Sequence, residues 1–220
     1  EDKVWVVDAD IKGYFDTIPH GPLLKRVGGK IADGRVLRLI EAYLKAGVME
    51  SVKSWQPTER GTPQGAVISP LLANIYLDPL DWEMARAGLE MVRYADDYVV
   101  LCHSREQALQ ALEKIQEFAN ANGLTLHPEK TQIVDASQPG GFDFLGYHFE
   151  RGMKWPRKKS LTKLKEVLRA KTRRTEGRSI KAICEDPNGL LHGWFEYFKH
   201  SKSNAFTTID GYTRGRLRSI

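Results

Sequence analysis

Cysteine and long apolar runs are both scarce in this sequence. Cys102 and Cys184 are far apart among the 220 residues and match no zinc-site spacing, so we expect reduced thiols in an intracellular protein, in a bacterial cytoplasm or an organelle. No apolar run approaches the roughly 20 residues that cross a bilayer, and no signal-peptide pattern is present. Internal repeats and low-complexity linkers are also lacking. These absences exclude a membrane span, a disulfide framework and a repeat architecture.

The charge is distributed unevenly along the chain. Residues 1–150 contain 15 Lys and Arg against 22 Asp and Glu, whereas residues 151–220 contain 18 against 6. Such a basic segment predicts a polyanionic partner, and we favour nucleic acid over the alternative of a merely soluble basic helical domain. The hydrophobic content of 41% is enough for one or two domains with a sizeable core. The change in composition predicts a division into residues 1–153 and 154–220.

Two adjacent carboxylates, Asp96 and Asp97, lie between short apolar runs within residues 92–102. The runs predict two strands with the acidic pair at the turn between them. At a tight turn both carboxylates crowd together, and a hard divalent metal ion would relieve their repulsion. A solvated hairpin turn explains this segment alone equally well, because Asp is common in turns.

Two other segments place polar groups where a ligand can reach them. Within residues 3–11, an apolar run followed by alternating acids predicts a strand that ends at Asp10. Residues 60–70 predict a loop that allows close approach, because Gly61 and Gly65 permit backbone paths that other residues resist. An ordinary turn is the alternative for this loop.

Helical periodicity predicts most of the remaining chain. Ser69 is the expected N-cap of a helix that reaches about Ala87, and Pro79 is expected to kink or split it. Ser104 and Gln107 predict a capping box at the start of the next helix. An aromatic helix over residues 188–200 is expected to be mostly core. The helix that Ser104 begins is predicted over residues 105–121, and further helical segments are predicted over residues 22–46 and 157–175.

The helix over residues 157–175 carries many lysines and arginines above an apolar stripe. This pattern suits a helix that runs along a phosphate backbone. Calmodulin-like or membrane-surface binding is the alternative, which we rank lower.

The order strand, helices, hairpin, helix, strand is that of a split βαβ sheet, with helices on one face and the other face open. Such a sheet can place Asp10 beside Asp96 and Asp97. Three carboxylates on one face are what a two-metal phosphoryl-transfer site requires.

The segments together resemble the motifs of group II intron-encoded reverse transcriptases (reverse transcriptase/maturases), and they occur in the family's order. The matching segments are Asp10–Asp16, Arg60–Asn74, Tyr94–Asp97, His127–Lys130, Phe144–Tyr147, Gly193–Phe198 and Arg214–Arg218. The resemblance implies an α+β fold, in which a polymerase palm over residues 1–153 precedes a basic α-helical thumb, or maturase-associated region, over residues 154–220. The family's fingers region, expected before Asp10, is missing, so a fingers segment or an oligomer is an expected partner.

The resemblance also implies roles for individual residues. Asp10, Asp96 and Asp97 would hold Mg²⁺, with Mn²⁺ as a substitute, and Lys130 would be the general acid toward pyrophosphate. Phe15 would pack against the nucleotide sugar. Other implied contacts are those of Arg60, Gln64 and Gly65 with nucleotide and template, those of Phe144, Leu145 and Gly146 as primer grip, and those of Lys158, Lys159, Lys163, Lys165 and Arg169 with the nucleic-acid backbone.

The implied function is RNA-directed DNA synthesis, in which a DNA primer 3′-hydroxyl is joined to a dNTP on an RNA template, with intron RNA as the expected template. A catalytically incomplete RNA-binding maturase fragment that assists intron splicing is the alternative. A nucleotidyl cyclase of the same palm architecture is disfavoured by the basic segment and by the Gln64 loop.

Overall fold

The computed structural model describes residues 3–46, 48–51, 54–56, 59–63, 65–173, 177 and 179–219, with backbone alone for 48–51, 54–56 and 180. The chain forms two compact units, Glu1–Asp135 and Ala136–Ile220. The sequence-based division after residue 153 lies further along the chain, and it stays a prediction. The difference arises because a division after residue 153 would cut the strand Met153–Pro156, which pairs with the strand Tyr147–Glu150 in the same unit.

Over its described residues, the first unit combines a four-stranded antiparallel sheet and a separate β-hairpin with five helices. Its strands are β1 (Trp5–Asp10), β2 (Val48–Ser51), β3 (Ser54–Gln56), β4 (Glu90–Tyr94), β5 (Asp97–Cys102) and β6 (Gln132–Asp135). Its helices are α1 (Tyr14–Thr17), α2 (His20–Gly28), α3 (Gly34–Lys45), α4 (Ser69–Arg86) and α5 (Arg105–Ala121). The strand order β4-β5-β1-β6 places β1 at the centre, while β2 and β3 form a separate hairpin. The α+β class is confirmed.

The register of β1 against β5 divides the sheet into two chemically different faces. Val7 lies opposite Val100 and Ala9 opposite Tyr98, and all four side chains are buried in the core that α2, α4 and α5 share. Because strand side chains alternate, Asp8 and Asp10 point to the face away from that core. The hydrophobic alternation of β1 therefore puts its carboxylates on one face.

The N-terminal ends of α4 and α5 show which local sequence signals were sufficient to predict a helix cap. The Ser104 hydroxyl accepts from the Gln107 N–H at 3.2 Å, so the predicted N-cap is confirmed, although the Gln107 side chain accepts from the His103 N–H. The N-cap prediction for Ser69 is wrong: Ile68 is the N-cap, and the Ser69 hydroxyl donates to the Pro63 carbonyl at 2.7 Å.

Pro79 does not split α4, which continues from Ser69 to Arg86. The missing proline N–H removes one backbone hydrogen bond. Side chains on both sides of Pro79 are fully buried, namely Tyr76, Leu77, Leu80 and Met84. Tertiary packing of this kind supplies most of the stability of a helix in a protein and outweighs the lost bond.

Where the structure describes it, the second unit is a three-stranded antiparallel meander followed by three helices. The strands, in the order β7-β8-β9, are β7 (Phe142–Phe144), β8 (Tyr147–Glu150) and β9 (Met153–Pro156). The helices are α6 (Lys158–Lys171), α7 (Ile180–Phe198) and α8 (Asn204–Arg218). Leu164 and Leu168 of α6 pack against Ile209 of α8 in a small core. Among the described residues, no helix is long and apolar enough to cross a membrane.

Arg216 of α8 satisfies the C-terminal end of α6. Its guanidinium donates to the carbonyl of Thr172 at 2.7 Å and to the Thr172 hydroxyl at 3.2 Å. Thr172 is buried, so the end of α6 has little access to water. The arginine therefore replaces solvent at carbonyl groups that a helix end leaves unpaired.

We expect Arg216→Ala to lower the free energy of unfolding of the second unit by about 1–2 kcal/mol, because a buried helix end loses its donor. Urea denaturation of the wild type and the variant measures the difference. Arg214→Ala is the matched control, since Arg214 is exposed and pairs with Asp210 one turn away; it is expected to stay within about 0.5 kcal/mol of wild type. Equal losses in the two variants would contradict this role of Arg216.

Candidate active site

Two carboxylates lie side by side where β1 ends and β5 begins. Asp10 is directly opposite Asp97 in the register, and side chains of opposed residues share one face of a sheet. Tyr94 of β4 is opposite Asp97 on its other side, and its side chain is exposed. Asp10, Asp97 and Tyr94 therefore form one row across three strands.

Asp96 lies in the two-residue turn of the β4–β5 hairpin, which the closing pair of Tyr94 and Asp97 defines. Ala95, the first turn residue, has a φ of 57°, which is rare for a residue with a Cβ. Asp96 follows at a negative φ and is partly buried. The predicted hairpin with an acidic turn is thus present, and it brings Asp96 next to the Asp10–Asp97 pair.

Lys130 faces this acidic group from the turn before β6. The His127 N–H donates to the Asp10 carbonyl at 2.7 Å, which fixes the turn against the end of β1. The Lys130 ammonium then lies 2.6 Å from Asp10 Oδ2. The Asp10 carboxylate raises the pKa of Lys130, and Asp96 and Asp97 add to the effect. Lys130 therefore remains protonated at neutral pH.

The donor set at this site fits a hard divalent cation in its chemistry. Asp10, Asp96 and Asp97 offer carboxylate oxygens, which Mg²⁺ prefers. The site already attracts one cation, because the Lys130 ammonium forms an ion pair with Oδ2 of Asp10. Over the part of the chain that the structure describes, no three His, Cys, Asp or Glu side chains form a ready-made metal cluster.

The segment after β1 presents Phe15 at a position that the 60–63 loop supports. Tyr14, the preceding residue, is buried, and its hydroxyl donates to the Ala73 carbonyl at 2.6 Å. Burial raises the pKa of Tyr14 well above its ordinary value, so this hydroxyl stays a donor. The Phe15 ring is partly buried and packs edge-on against Tyr14.

The 60–63 loop lies directly on the backbone of that segment. The Gly61 N–H donates to the Ile18 carbonyl at 2.7 Å, and the Thr62 N–H donates to the Phe15 carbonyl at 2.6 Å. Buried His20 contacts the Gly61 carbonyl through Nε2 at 2.8 Å. A Cβ at Gly61 would lie 2.8 Å from backbone atoms of Asp16 and Phe15. Gly61 is therefore required for this close approach.

The other residues predicted in the loop are placed only in part. Arg60 is exposed and forms an isolated bridge with Pro19. Gly65 has a φ of 85° and open space where a Cβ would be. Gln64 lies outside the described residues.

In the second unit, the predicted primer-grip residues form the turn between β7 and β8. Phe144 is buried, and both Leu145 and Gly146 adopt positive φ values. The Gly146 carbonyl accepts from the Arg157 N–H at 2.9 Å, and the Leu145 carbonyl accepts from the Tyr197 hydroxyl at 2.7 Å. Both carbonyls are thus used within the protein.

The lysines and arginine predicted to follow a nucleic-acid backbone all belong to α6. Lys158, Lys159, Lys163 and Arg169 are exposed, as a phosphate-binding face requires. Lys165 is only partly exposed and lies 5.6 Å above the Tyr212 ring.

Two residues that hold the hairpin turn and the 60–63 loop in place were missed by sequence reasoning. Arg93 contacts the Asp96 turn from the other side of the sheet, and His20 holds the Gly61 loop. For Arg93 a signal existed: a lone arginine two residues before the turn interrupts the apolar strand. His20 gave none.

The reverse transcriptase (RNA-dependent DNA polymerase) family model matches residues 1–149, and the group II intron maturase-specific domain matches residues 161–220. The group II intron-encoded protein LtrA of Lactococcus lactis subsp. cremoris is 37% identical over 133 residues, which is 57% of this chain and 22% of LtrA. An uncharacterized 91 kDa protein in the cob intron of Schizosaccharomyces pombe is 31% identical over 191 residues, or 60% of this chain and 24% of that protein. The chain therefore spans less than a quarter of the length of these relatives.

The fold is also that of a solved polymerase. Telomerase from Candida tropicalis, in complex with the TWJ fragment of telomeric RNA, superposes with a TM-score of 0.60 at 14% identity, covering 94% of this chain and 39% of that one. This likeness shows a polymerase fold of the kind that telomerases and reverse transcriptases have. The matches over residues 1–149 then make the assignment: the chain belongs to the reverse transcriptase (RNA-dependent DNA polymerase) family. The resemblance to group II intron-encoded reverse transcriptases and maturases is confirmed.

Proposed function

We propose that this chain carries the catalytic part of an RNA-directed DNA polymerase of group II intron type, which adds dNTPs to a DNA primer on an RNA template. The observation that supports this most is the row formed by Asp10 and Asp97, with Asp96 in the adjoining turn. This row lies within the residues that match the reverse transcriptase family. Intron RNA is the proposed template.

Asp10 and Asp96 are the proposed principal ligands of Mg²⁺, or of Mn²⁺ in its place, and Asp97 is the third acid. The family implies a divalent metal in general. When bound, the metal would lower the pKa of the primer 3′-hydroxyl and neutralise charge on the triphosphate. Lys130 holds a proton on Nζ beside Asp10 and is the proposed donor to departing pyrophosphate.

The nucleotide is proposed to lie over Phe15, whose ring would pack against the sugar and exclude a 2′-hydroxyl. The support is that the 60–63 loop fixes the Phe15 backbone through its carbonyl. Arg60 and Gly65, together with Gln64, are the proposed contacts of nucleotide and template. The turn of Phe144, Leu145 and Gly146 is the proposed primer grip. Because the Leu145 and Gly146 carbonyls are already bonded within the protein, the turn would contact the primer through its remaining groups.

Primer extension tests the proposal directly. Wild-type protein with an RNA template, a labelled DNA primer, dNTPs and Mg²⁺ is expected to extend the primer, whereas Asp96→Ala is not. RNA binding is measured alongside, because the substitution lies in a turn and should leave it unchanged. Absence of wild-type extension would overturn the polymerase proposal for this chain.

A second candidate function is RNA binding that supports intron splicing without DNA synthesis. It is favoured by the exposed basic face of α6 and by the maturase-specific match over residues 161–220. Salt-sensitive intron RNA binding that survives Asp96→Ala, without wild-type primer extension, is its expected signature.

We expect Lys158→Gln combined with Lys159→Gln to weaken RNA binding. Each lost phosphate contact lowers the slope of log Kd against log salt by about 0.7–0.9, so the pair lowers it by about 1.5. Fluorescence anisotropy at several salt concentrations measures the slope. The combination of Lys181→Gln and Lys199→Gln removes the same charge from Lys181 of α7 and from Lys199, the residue that caps its C-terminal end. Both lysines pair with glutamates, and little change is expected. If both pairs of substitutions change the salt slope equally, α6 contributes to RNA binding only through its net charge.

A further inference from the structure

Arg93 links the acidic turn to helix α4. It lies opposite Tyr98, whose side chain is buried in the core, so Arg93 leaves β4 on the face away from Asp10 and Asp97. Its guanidinium donates to both carboxylate oxygens of Asp81, at 2.7 and 2.5 Å. Nη1 donates to Asn74 Oδ1 and to the Ala95 carbonyl, both at 2.8 Å. The Arg93 side chain is only 12% exposed.

The Ala95 carbonyl is the part of this network that reaches the proposed active site. Ala95 has a φ of 57° and Asp96 a negative φ, a combination in which glycine is the favoured first turn residue. An alanine resists this conformation because of its Cβ. A hydrogen bond to the Ala95 carbonyl fixes the plane of the Ala95–Asp96 peptide. It therefore also fixes the direction in which the Asp96 side chain extends from the backbone.

We propose that Arg93 is a positioning residue, which holds the strained Ala95–Asp96 peptide and thereby aims the Asp96 carboxylate at the group formed with Asp10 and Asp97. The inference rests on the proposed function for its catalytic consequence, but the geometry it asserts concerns the turn itself. Asn74 and Asp81 orient the guanidinium from α4, seven residues apart on one side of that helix. A lysine at position 93 cannot reproduce this arrangement, since an ammonium lacks the planar fork that bonds Asp81 with two parallel N–H groups.

A purely structural ion pair is the rival explanation, in which Arg93 and Asp81 only fasten β4 to α4. The two explanations differ in one respect. If Arg93 acts on the Ala95 peptide, then glycine at position 95 relieves the need for it, because glycine adopts a positive φ freely. If Arg93 only fastens the strand to the helix, glycine at position 95 changes nothing or adds flexibility.

The test uses Arg93→Lys, Ala95→Gly and the two combined. Arg93→Lys is expected to lower the single-turnover rate of primer extension by about 10²-fold, the cost of misplacing a catalytic group by about 1 Å, with RNA affinity unchanged. Ala95→Gly alone is expected to remain close to wild type. The double variant is expected to recover at least about tenfold over Arg93→Lys, because the glycine turn needs no clamp.

Hydrogen exchange at the Asp97 amide, which belongs to the pair with Tyr94 that closes the hairpin, gives a readout that does not depend on catalysis. Exchange should accelerate in Arg93→Lys and return toward wild type in the double variant. If the wild type extends no primer, the proposed function fails, while the exchange result still decides the inference. Lack of recovery in the double variant, in both rate and exchange, overturns it.

Two further variants guard against trivial outcomes. Asp81→Asn weakens the ion pair but leaves the bond from Nη1 to Ala95, so its rate of primer extension is expected to fall less than that of Arg93→Lys. A loss of rate as large as that of Arg93→Lys supports the fastening role and counts against the inference. If Arg93→Lys fails to fold, Asn74→Ala replaces it, since it removes one acceptor of Nη1 without leaving a buried charge unpaired. Exchange at the Asp97 amide is then expected to accelerate at an unchanged unfolding temperature, and unchanged exchange overturns the inference.

Discussion

Asp10→Asn is expected to lower the rate of primer extension by about 10³-fold or more, because Asp10 is a proposed carboxylate ligand and its loss would remove several kcal/mol of charge stabilisation. Asparagine has the shape of aspartate, and the backbone carbonyl of residue 10 still accepts from the His127 N–H. The fold is therefore expected to survive. Single-turnover extension with saturating RNA, primer and Mg²⁺ measures the rate.

Asp8→Asn is the matched control for Asp10→Asn. Asp8 is on the same strand and the same face, one row further from the turn, and it accepts from the Gln132 amide at 3.2 Å. Asparagine keeps that acceptor, and Asp8 is opposite Val99 rather than another acid. We expect Asp8→Asn to retain at least about a third of the wild-type rate, since surface substitutions of this kind change little. A loss in Asp8→Asn as large as that in Asp10→Asn would show that the metal ligand was assigned to the wrong acid.

Gly61→Ala is expected to destabilise the first unit strongly for a change of a single methyl group. The new Cβ would lie 2.8 Å from the Asp16 Cα and from the carbonyl oxygens of Phe15 and Asp16. All of these are backbone atoms, so no side-chain rotation relieves the contact. The loop must move away, which breaks its bonds to Ile18 and Phe15 at about 1 kcal/mol each. A total loss of about 3–4 kcal/mol follows when the positive φ is included.

Gly65→Ala separates the two causes of that loss. Gly65 has the same φ of 85°, but no atom lies within 4 Å of its added Cβ. It is expected to lose only the conformational part, about 1–2 kcal/mol. Urea denaturation of the two variants and the wild type gives the comparison. If Gly61→Ala is no less stable than Gly65→Ala, the close approach of the 60–63 loop to Phe15 is not maintained in solution.

The sequence was informative where local pattern alone determines structure. Alternation in β1 and the turn after Tyr94 were enough to expect Asp10 near Asp96 and Asp97, because strand periodicity and hairpin chemistry are local. The Ser104 cap was predictable for the same reason. The α+β class followed from the order of these elements.

Contacts between distant segments were not predictable in this way. Ser69 bonds a carbonyl in its own loop rather than capping α4, because the loop folds back on the helix start. The aromatic side chains of α7 were expected to be mostly buried, yet Phe195 and Tyr197 are about half exposed, at 45% and 53%. The network of Arg93 with Asn74 and Asp81 joins a strand to a helix. The spacing of residues within either segment does not predict these contacts.

The bonding of the Leu145–Gly146 turn determines where this chain can be cut and joined to a relative. The turn is tied to the start of α6 through Arg157 and Ser160, and β8 pairs with β9 across residues 151–152. A chimaera joined after residue 153 would take most of β9 and the helices α6 to α8 from one parent and the turn from the other. A junction between Asp135 and Ala136 keeps the meander and its helices together. Exchange of the second unit between related proteins is therefore best made as one module that begins at Ala136.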